Sequence, residues 1–221
     1  MKAATVIAAL AATAAGAPTD VETRPVQARQ VQTVYNELEN GSSGDCPGSI
    51  LVYARGSTEQ GNIGQTVGAA LVSGLRSRVP SLWIQGVGGP YAATLADNYL
   101  ERGTTPEAIA EAVRLINLAH TKCPDSAIIT GGYSQGAALI AAAISDLSPD
   151  LRDKVKASVL FGYTQNVQNN GGIPNFPQCR TAVYCNVGDV ICEGILEIRP
   201  PHLQYNAIAS GPAAEFLASL I

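Results

Sequence analysis

Ser134 lies in the run Gly132-Tyr133-Ser134-Gln135-Gly136. A serine flanked by glycines at this spacing is a nucleophile when a strand enters the turn and a helix leaves it. Both neighbours are present. Ala127-Ile128-Ile129-Thr130 is a short β-branched apolar run, and Ala137-Ala138-Leu139-Ile140 continues as a helix former. Gly132 and Gly136 allow strand and helix to approach closely while Ser134 takes a strained backbone position. The serine oxygen then projects from the carboxyl edge of a sheet, with the amide of Gln135 facing the same space. The chemistry expected of this arrangement is an acyl-serine intermediate.

A serine nucleophile needs a base, and the base needs an orienting acid. The chain has two histidines, His120 and His202. His202 follows Pro200-Pro201 in a stretch without helical pattern, after the last strand, where a stiff loop can hang it over the sheet edge. His120 falls in the last turn of a helix, where the helix C-terminus accounts for it. In sheet hydrolases the acid lies between serine and histidine in the chain. Asp146, Asp150 and Asp153 read as solvated surface around a helix end. Asp189, in the turn Asn186-Val187-Gly188-Asp189, is the expected acid, although an aspartate also suits an ordinary turn there. Glu193 and Glu197 are the fallback acids. The oxyanion hole needs two donors aimed at one spot. Gln135 N–H supplies one. Ser57, in the loop Ala54-Arg55-Gly56-Ser57-Thr58-Glu59-Gln60-Gly61, supplies the other if that loop lies beside the turn at Ser134.

The elements that must position these groups alternate along the chain. Strands are predicted at Ser49–Ala54, Leu82–Gln85, Ala127–Thr130, Ala157–Phe161 and Ala182–Tyr184. They are short and nearly continuous in apolar character, as buried parallel strands are. Helices are predicted at Gly64–Ser77, Pro106–Lys122, Gln135–Asp146 and Ala213–Leu220. The second has Thr105 as cap and Pro106 in its first turn, and its apolar face reads as Ile109, Val113, Ile116 and His120. The fold class is α/β, a sheet covered by helices on both faces.

The 221 residues divide into a leader, a short polar segment and one domain. Lys2, the apolar run Ala3–Ala15 and the small residues after it read as a signal peptide over 1–17, too short to span a bilayer. Residues 18–30 are polar and aperiodic, a pro-segment or an arm. Residues 31–221 form the expected catalytic domain. No later run is long enough for membrane insertion. The net charge is −4 and no basic cluster occurs, so nucleic-acid binding lacks its electrostatic footprint. The five cysteines include no Cys-x-x-Cys pair, so a zinc site is not expected, and the chemistry requires no cofactor. With a signal peptide, disulfides are expected. Pairing Cys185 with Cys192 would stiffen the turn at Asp189. Pairing Cys46 with Cys123 would then leave Cys179 free, but spacing alone leaves the connectivity open.

Several of these stretches, taken in order, are similar to the fungal cutinases. They are Ala54-Arg55-Gly56-Ser57-Thr58-Glu59, Trp83-Ile84-Gln85-Gly86-Val87-Gly88-Gly89, Gly132-Tyr133-Ser134-Gln135-Gly136-Ala137, Leu160-Phe161-Gly162-Tyr163-Thr164 and Pro201-His202-Leu203. The resemblance runs from about residue 33 to 220. It implies a small, secreted, monomeric serine esterase cleaving cutin, the polyester of plant cuticle. The implied fold is a three-layer α/β-hydrolase-type sandwich around a five-stranded parallel sheet, without a large lid. By position it implies Ser134, Asp189 and His202 as triad, Ser57 and Gln135 as oxyanion hole, and Asn98 as support for Ser57. It also implies the Cys46–Cys123 and Cys185–Cys192 bridges. Leu95, Leu196, Ile198 and Leu203 match residues that rim the exposed site, although core packing is the other reading for them. Cys179 departs from the two-bridge pattern. The alternatives are an acetylxylan esterase of the same superfamily, or a secreted surface-binding protein with a vestigial site.

A histidine base must be neutral to accept a proton. Hydrolysis is therefore expected to fall as the pH drops through about 6–7, the ordinary imidazole range. An initial-rate profile that stays flat down to pH 4 would exclude His202 as the base.

Overall fold

The computed structural model describes Met1 and residues 31–221. The expected leader and the polar segment up to residue 30 therefore lie outside the described residues, apart from Met1. Five strands form the sheet: β1 (Ser49–Ala54), β2 (Leu82–Gly86), β3 (Ala127–Tyr133), β4 (Val155–Phe161) and β5 (Thr181–Tyr184). All pair in parallel, in the order β2-β1-β3-β4-β5. The helices are α1 (Glu37–Asn40), α2 (Val67–Arg76), α3 (Pro106–Lys122), α4 (Gln135–Asp146), α5 (Pro149–Arg152), α6 (Asn206–Ile208) and α7 (Ala214–Ala218). The expected five-stranded α/β sandwich is what the chain forms.

The strands are apolar throughout because both faces are covered. Along β1, Ile50, Val52 and Ala54 point into one core, shared with Ile109, Leu115 and Ile116 of α3 and Leu139 and Ile140 of α4. Leu51 and Tyr53 point into the other core, shared with Leu71 and Leu75 of α2 and Leu217 of α7. This is the period-two alternation of a strand, with an apolar layer waiting on each side.

Helix α3 begins as predicted. Thr105 caps it by accepting from Ala108 N–H at 3.1 Å, and Pro106 occupies the first turn. Its buried stripe, however, runs through Ala108, Ala112, Leu115 and Ala119 as well as Ile109 and Ile116, leaving Val113 and His120 only partly covered. Alanines allow the helix axis to come close to the sheet, so side-chain size rather than hydrophobic strength sets the buried face. The C-terminal helix also differs from expectation. It starts at Asn206 and passes through Pro212 in a π-helical turn, Ala209–Ala213, before α7. Proline has no N–H to give, and the widened turn accommodates it. Gly74 of α2 meets this segment so closely that a Cβ would stand 2.4 Å from Ser210 O.

The strand order reverses between β1 and β3, which run in register from Ser49–Ala127 to Ala54–Gly132. Such a switch point leaves a crevice at the carboxyl ends of the two strands. The loop after β1 and the turn after β3 both open into it. Close approach there is enforced by glycine. A Cβ on Gly132 would stand 2.2 Å from Gly136 O, and one on Gly136 would stand 2.2 Å from Ala54 O. Gly136→Ala is expected to destabilise the fold by roughly 1–3 kcal/mol through overpacking. A lowered urea midpoint at unchanged slope would confirm it.

Candidate active site

Ser134 joins β3 to α4 with φ +55°, a backbone rarely tolerated by a residue with a Cβ. Its amide donates to Phe161 O at 2.8 Å, and its carbonyl accepts from Ala137 N–H at 3.0 Å. The turn is thus tied to β4 on one side and to α4 on the other. Its Oγ lies 3.0 Å from His202 Nε2. The other imidazole nitrogen, Nδ1, lies 2.9 Å from Asp189 Oδ2 and 3.1 Å from Oδ1. His202 and Asp189 are only 1% and 2% exposed, which removes the water that would compete for these contacts.

His202 comes from the proline-stiffened 3₁₀ turn Pro200–Leu203. Asp189 comes from the loop closed by the Cys185–Cys192 disulfide, and its Oδ1 accepts from Ile191 N–H at 3.2 Å. The Cys46–Cys123 bridge ties the segment before β1 to the end of α3, and Cys179 is free and exposed. Gly162, at the end of β4 with φ +53°, clears the space for the pair. A Cβ there would stand 2.6 Å from His202 Cε1 and 3.1 Å from Asp189 Oδ2. Tyr133 stacks on the imidazole, its ring centre 5.2 Å away, and its hydroxyl donates to His202 O at 2.8 Å. Burial first, then the negative charges of Glu59 and Asp189, push the Tyr133 phenol far up, so it stays a neutral donor.

The loop after β1 is held from several directions. Arg55 donates to the carbonyls of Glu59, Tyr91 and Ala92, and Tyr91 donates back to Arg55 O at 2.8 Å. The Glu59 carboxylate accepts from Gly56 N–H, Thr66 N–H and the Thr66 hydroxyl. Thr58 N–H donates to Ala93 O at 2.9 Å. Thr58 and Ala93 both have positive φ, 64° and 55°, and Thr58 lines the crevice together with Ser134. Asn98 Nδ2 donates to Ser57 Oγ at 3.0 Å. The Ser57 hydroxyl accepts there, which leaves its proton free to donate into the crevice. Gln135 is the first residue of α4, so its N–H has no partner within the helix. Its buried side chain donates to Thr94 O at 2.6 Å and anchors the segment that carries Leu95 and Asn98.

Ser57, Ser134 and His202 line one cavity of about 550 Å³ with Leu95, Leu196, Ile198 and Leu203. All four apolar residues are exposed, so core packing does not account for them. Tyr99, which the sequence reading missed, also lines the cavity and is 79% exposed. His120 is in the last turn of α3. Asp146 pairs with Arg102, and Glu197 with Arg199, both at the surface. Among the described residues, no group of three or more His, Cys, Asp or Glu side chains is arranged to hold a metal ion. A serine, an imidazole and a carboxylate in this order can pass a proton from the serine while the buried charge is balanced.

The sequence reading also missed Gly162, Tyr133 and Glu59 as supports. A glycine closing an apolar strand was the available signal for the first. For the tyrosine hydroxyl and for the carboxylate reaching back to Gly56, nothing local gave one.

The profile of the family described as Cutinase matches residues 45–221. The chain is 54% identical to a cutinase of Fusarium solani subsp. cucurbitae over 211 residues, which covers 94% of this chain and 91% of that one. It is likewise 54% identical to cutinase 2 of Fusarium vanettenii over 212 residues, with the same coverage. Its fold is similar to that of Trichoderma reesei cutinase in complex with a phosphonate inhibitor, with a TM-score of 0.75 and 29% identity. That match covers 86% of this chain and 80% of that one. The catalytic core of acetyl xylan esterase from Trichoderma reesei matches at a TM-score of 0.62 and 20% identity, over 80% of this chain and all of that one, a likeness of fold alone.

Gly162→Ala pushes a methyl group against the imidazole. It is expected to lower kcat/KM about 100-fold, since roughly 1 Å of misplacement costs that much. Steady-state kinetics on a variant with an unchanged circular dichroism spectrum would check it.

Proposed function

The chain belongs to the cutinase family, and on that premise we propose that Ser134, His202 and Asp189 are nucleophile, base and orienting acid of a carboxylic ester hydrolase. Its substrates are cutin and short- to medium-chain acyl esters. The observation that carries this reading is the unbroken chain from Ser134 Oγ to His202 at 3.0 Å and on to Asp189 at 2.9 Å.

The reaction proceeds in two matching halves. Ser134 attacks the ester carbonyl as His202 Nε2 takes its proton. Asp189, held at Nδ1, fixes the tautomer and balances the imidazolium. The developing oxyanion sits between Gln135 N–H and Ser57, whose donors are already oriented and need no reorganisation; one such donor is worth about 10²–10³ in kcat. The N-terminus of α4 adds a favourable field. His202 then gives the proton to the leaving alcohol, and water repeats the cycle on the acyl-enzyme. Leu95, Leu196, Ile198 and Leu203 receive the acyl chain and present an apolar rim to the polymer.

The chain acts outside the cell as a monomer. The leader over 1–17 and two disulfides support an oxidising destination. Among the described residues, no helix is long and apolar enough to cross a membrane.

Initial rates on p-nitrophenyl esters from acetate to palmitate test the proposal. A maximum at butyrate or longer is expected, with Ser134→Ala lowering the rate by about 10⁴-fold or more. Rates confined to acetate would favour an acetylxylan esterase. Wild-type rates equal to those of Ser134→Ala would leave a surface-binding protein.

A further inference from the structure

Asp189 carries a hydrogen bond that the triad itself does not account for. The Tyr205 hydroxyl donates to Asp189 Oδ2 at 2.5 Å, the oxygen that also faces His202 Nδ1 at 2.9 Å. Tyr205 lies three residues beyond His202 and is fully buried. Its ring packs among Tyr133, Phe161 and the edge of His202, with centres 6.1, 6.0 and 6.4 Å away. The direction of the bond is determined. Asn186 N–H donates to the Tyr205 oxygen at 2.9 Å, so the phenol accepts there and spends its own proton on Asp189.

The two loops are stitched in both directions. Asn186, three residues before Asp189, donates from its side chain to Pro201 O at 2.8 Å and Gln204 O at 3.2 Å. The loop of the acid therefore grips the loop of the base through Asn186, and the loop of the base grips the acid through Tyr205. Holding the loops together is already the work of Asn186. What Tyr205 adds is a proton donor on a buried carboxylate. A hydrogen bond to an ionised acceptor is shorter and stronger than one between neutral groups, so it fixes the direction in which the carboxylate faces.

We infer that Tyr205 is a positioning residue for ester hydrolysis, which holds the Asp189 carboxylate in the orientation that faces His202. The inference rests on the triad reading given above. The other titratable groups facing this pair are Tyr133 from β3 and, across the cleft, Glu59 from the loop after β1; Glu197 also lines the cavity but pairs with Arg199. Among the described residues, none of them donates to Asp189, whose hydrogen-bond donors besides His202 are Tyr205 OH and Ile191 N–H.

Tyr205→Phe keeps the ring and removes the donor. With one donor fewer, the Asp189 oxygens are left to His202 Nδ1–H and Ile191 N–H, and the bond to the imidazole strengthens. The acid limb of the kcat/KM profile should then move up by about half a pH unit or more. At the wild-type optimum kcat should fall about tenfold, the scale of a hydrogen bond to a charged group. KM should hold, because Tyr205 does not line the cavity. Placing 3-fluorotyrosine at position 205 strengthens the donor without removing it, and should move the acid limb the other way. If Tyr205→Phe does not fold, the fluorotyrosine protein decides. An acid limb that stays where it is in the folded variants, or a loss confined to KM, overturns the inference. Asp189→Asn separates the two levels. An inactive Asp189→Asn beside an unmoved acid limb sinks only the role of Tyr205, whereas an active Asp189→Asn sinks the triad.

Discussion

Ser134 sits in a left-handed backbone conformation, and that turn exists because nothing larger than hydrogen fits at Gly132 or Gly136. The first turn of α4 presses against the carboxyl ends of β3 and β1. The contact aligns three things at once. It lifts the serine out of the sheet, leaves the N–H of Gln135 without a partner inside α4, and brings the loop after β1 alongside. A residue at positive φ costs energy that its surroundings must offset. Here the offset comes from backbone bonds to β4 and α4 and from the buried alanines of α4, Ala137, Ala138 and Ala141.

Around that turn, the groups expected to react come from loops rather than strands, yet the loops are not free. Each is anchored by a different device. The loop after β1 is held by Arg55 and Glu59. The segment near Asn98 is pinned by Gln135 through Thr94. The Asp189 loop is closed by a disulfide, and the His202 loop is stiffened by two prolines. Rigid loops are what electrostatic catalysis requires, because donors that must reorient during reaction lose most of their advantage.

Membership of the cutinase family and the geometry of the cleft agree on the chemistry. They bear differently on substrate. The likeness to acetyl xylan esterase is one of fold at 20% identity, and that fold serves more than one ester. In the function proposed above, discrimination falls to the side chains bordering the cavity. Leu95, Leu196, Ile198 and Leu203, joined by Tyr99, make that border apolar and open. Such a border suits an acyl chain or an apolar solid better than a carbohydrate.

The alternation of strands and helices, the turn at Ser134 and the short list of chemistry-bearing residues were legible in the residues alone. These are local signals: β-branched runs, glycines flanking a serine, a cap followed by proline, and a choice between two histidines. Other features were decided only by tertiary structure. The buried stripe of α3 depends on how near its alanines come to the sheet. The passage of the last helix through Pro212 depends on its packing against Gly74 of α2. The order β2-β1-β3-β4-β5 is what puts Ser57 beside Ser134, although 77 positions separate them. Tyr205, Tyr133 and Glu59 carry no local signature of their roles. Each acts on a partner brought close by the fold, and a hydrogen bond has meaning only once that partner is in place.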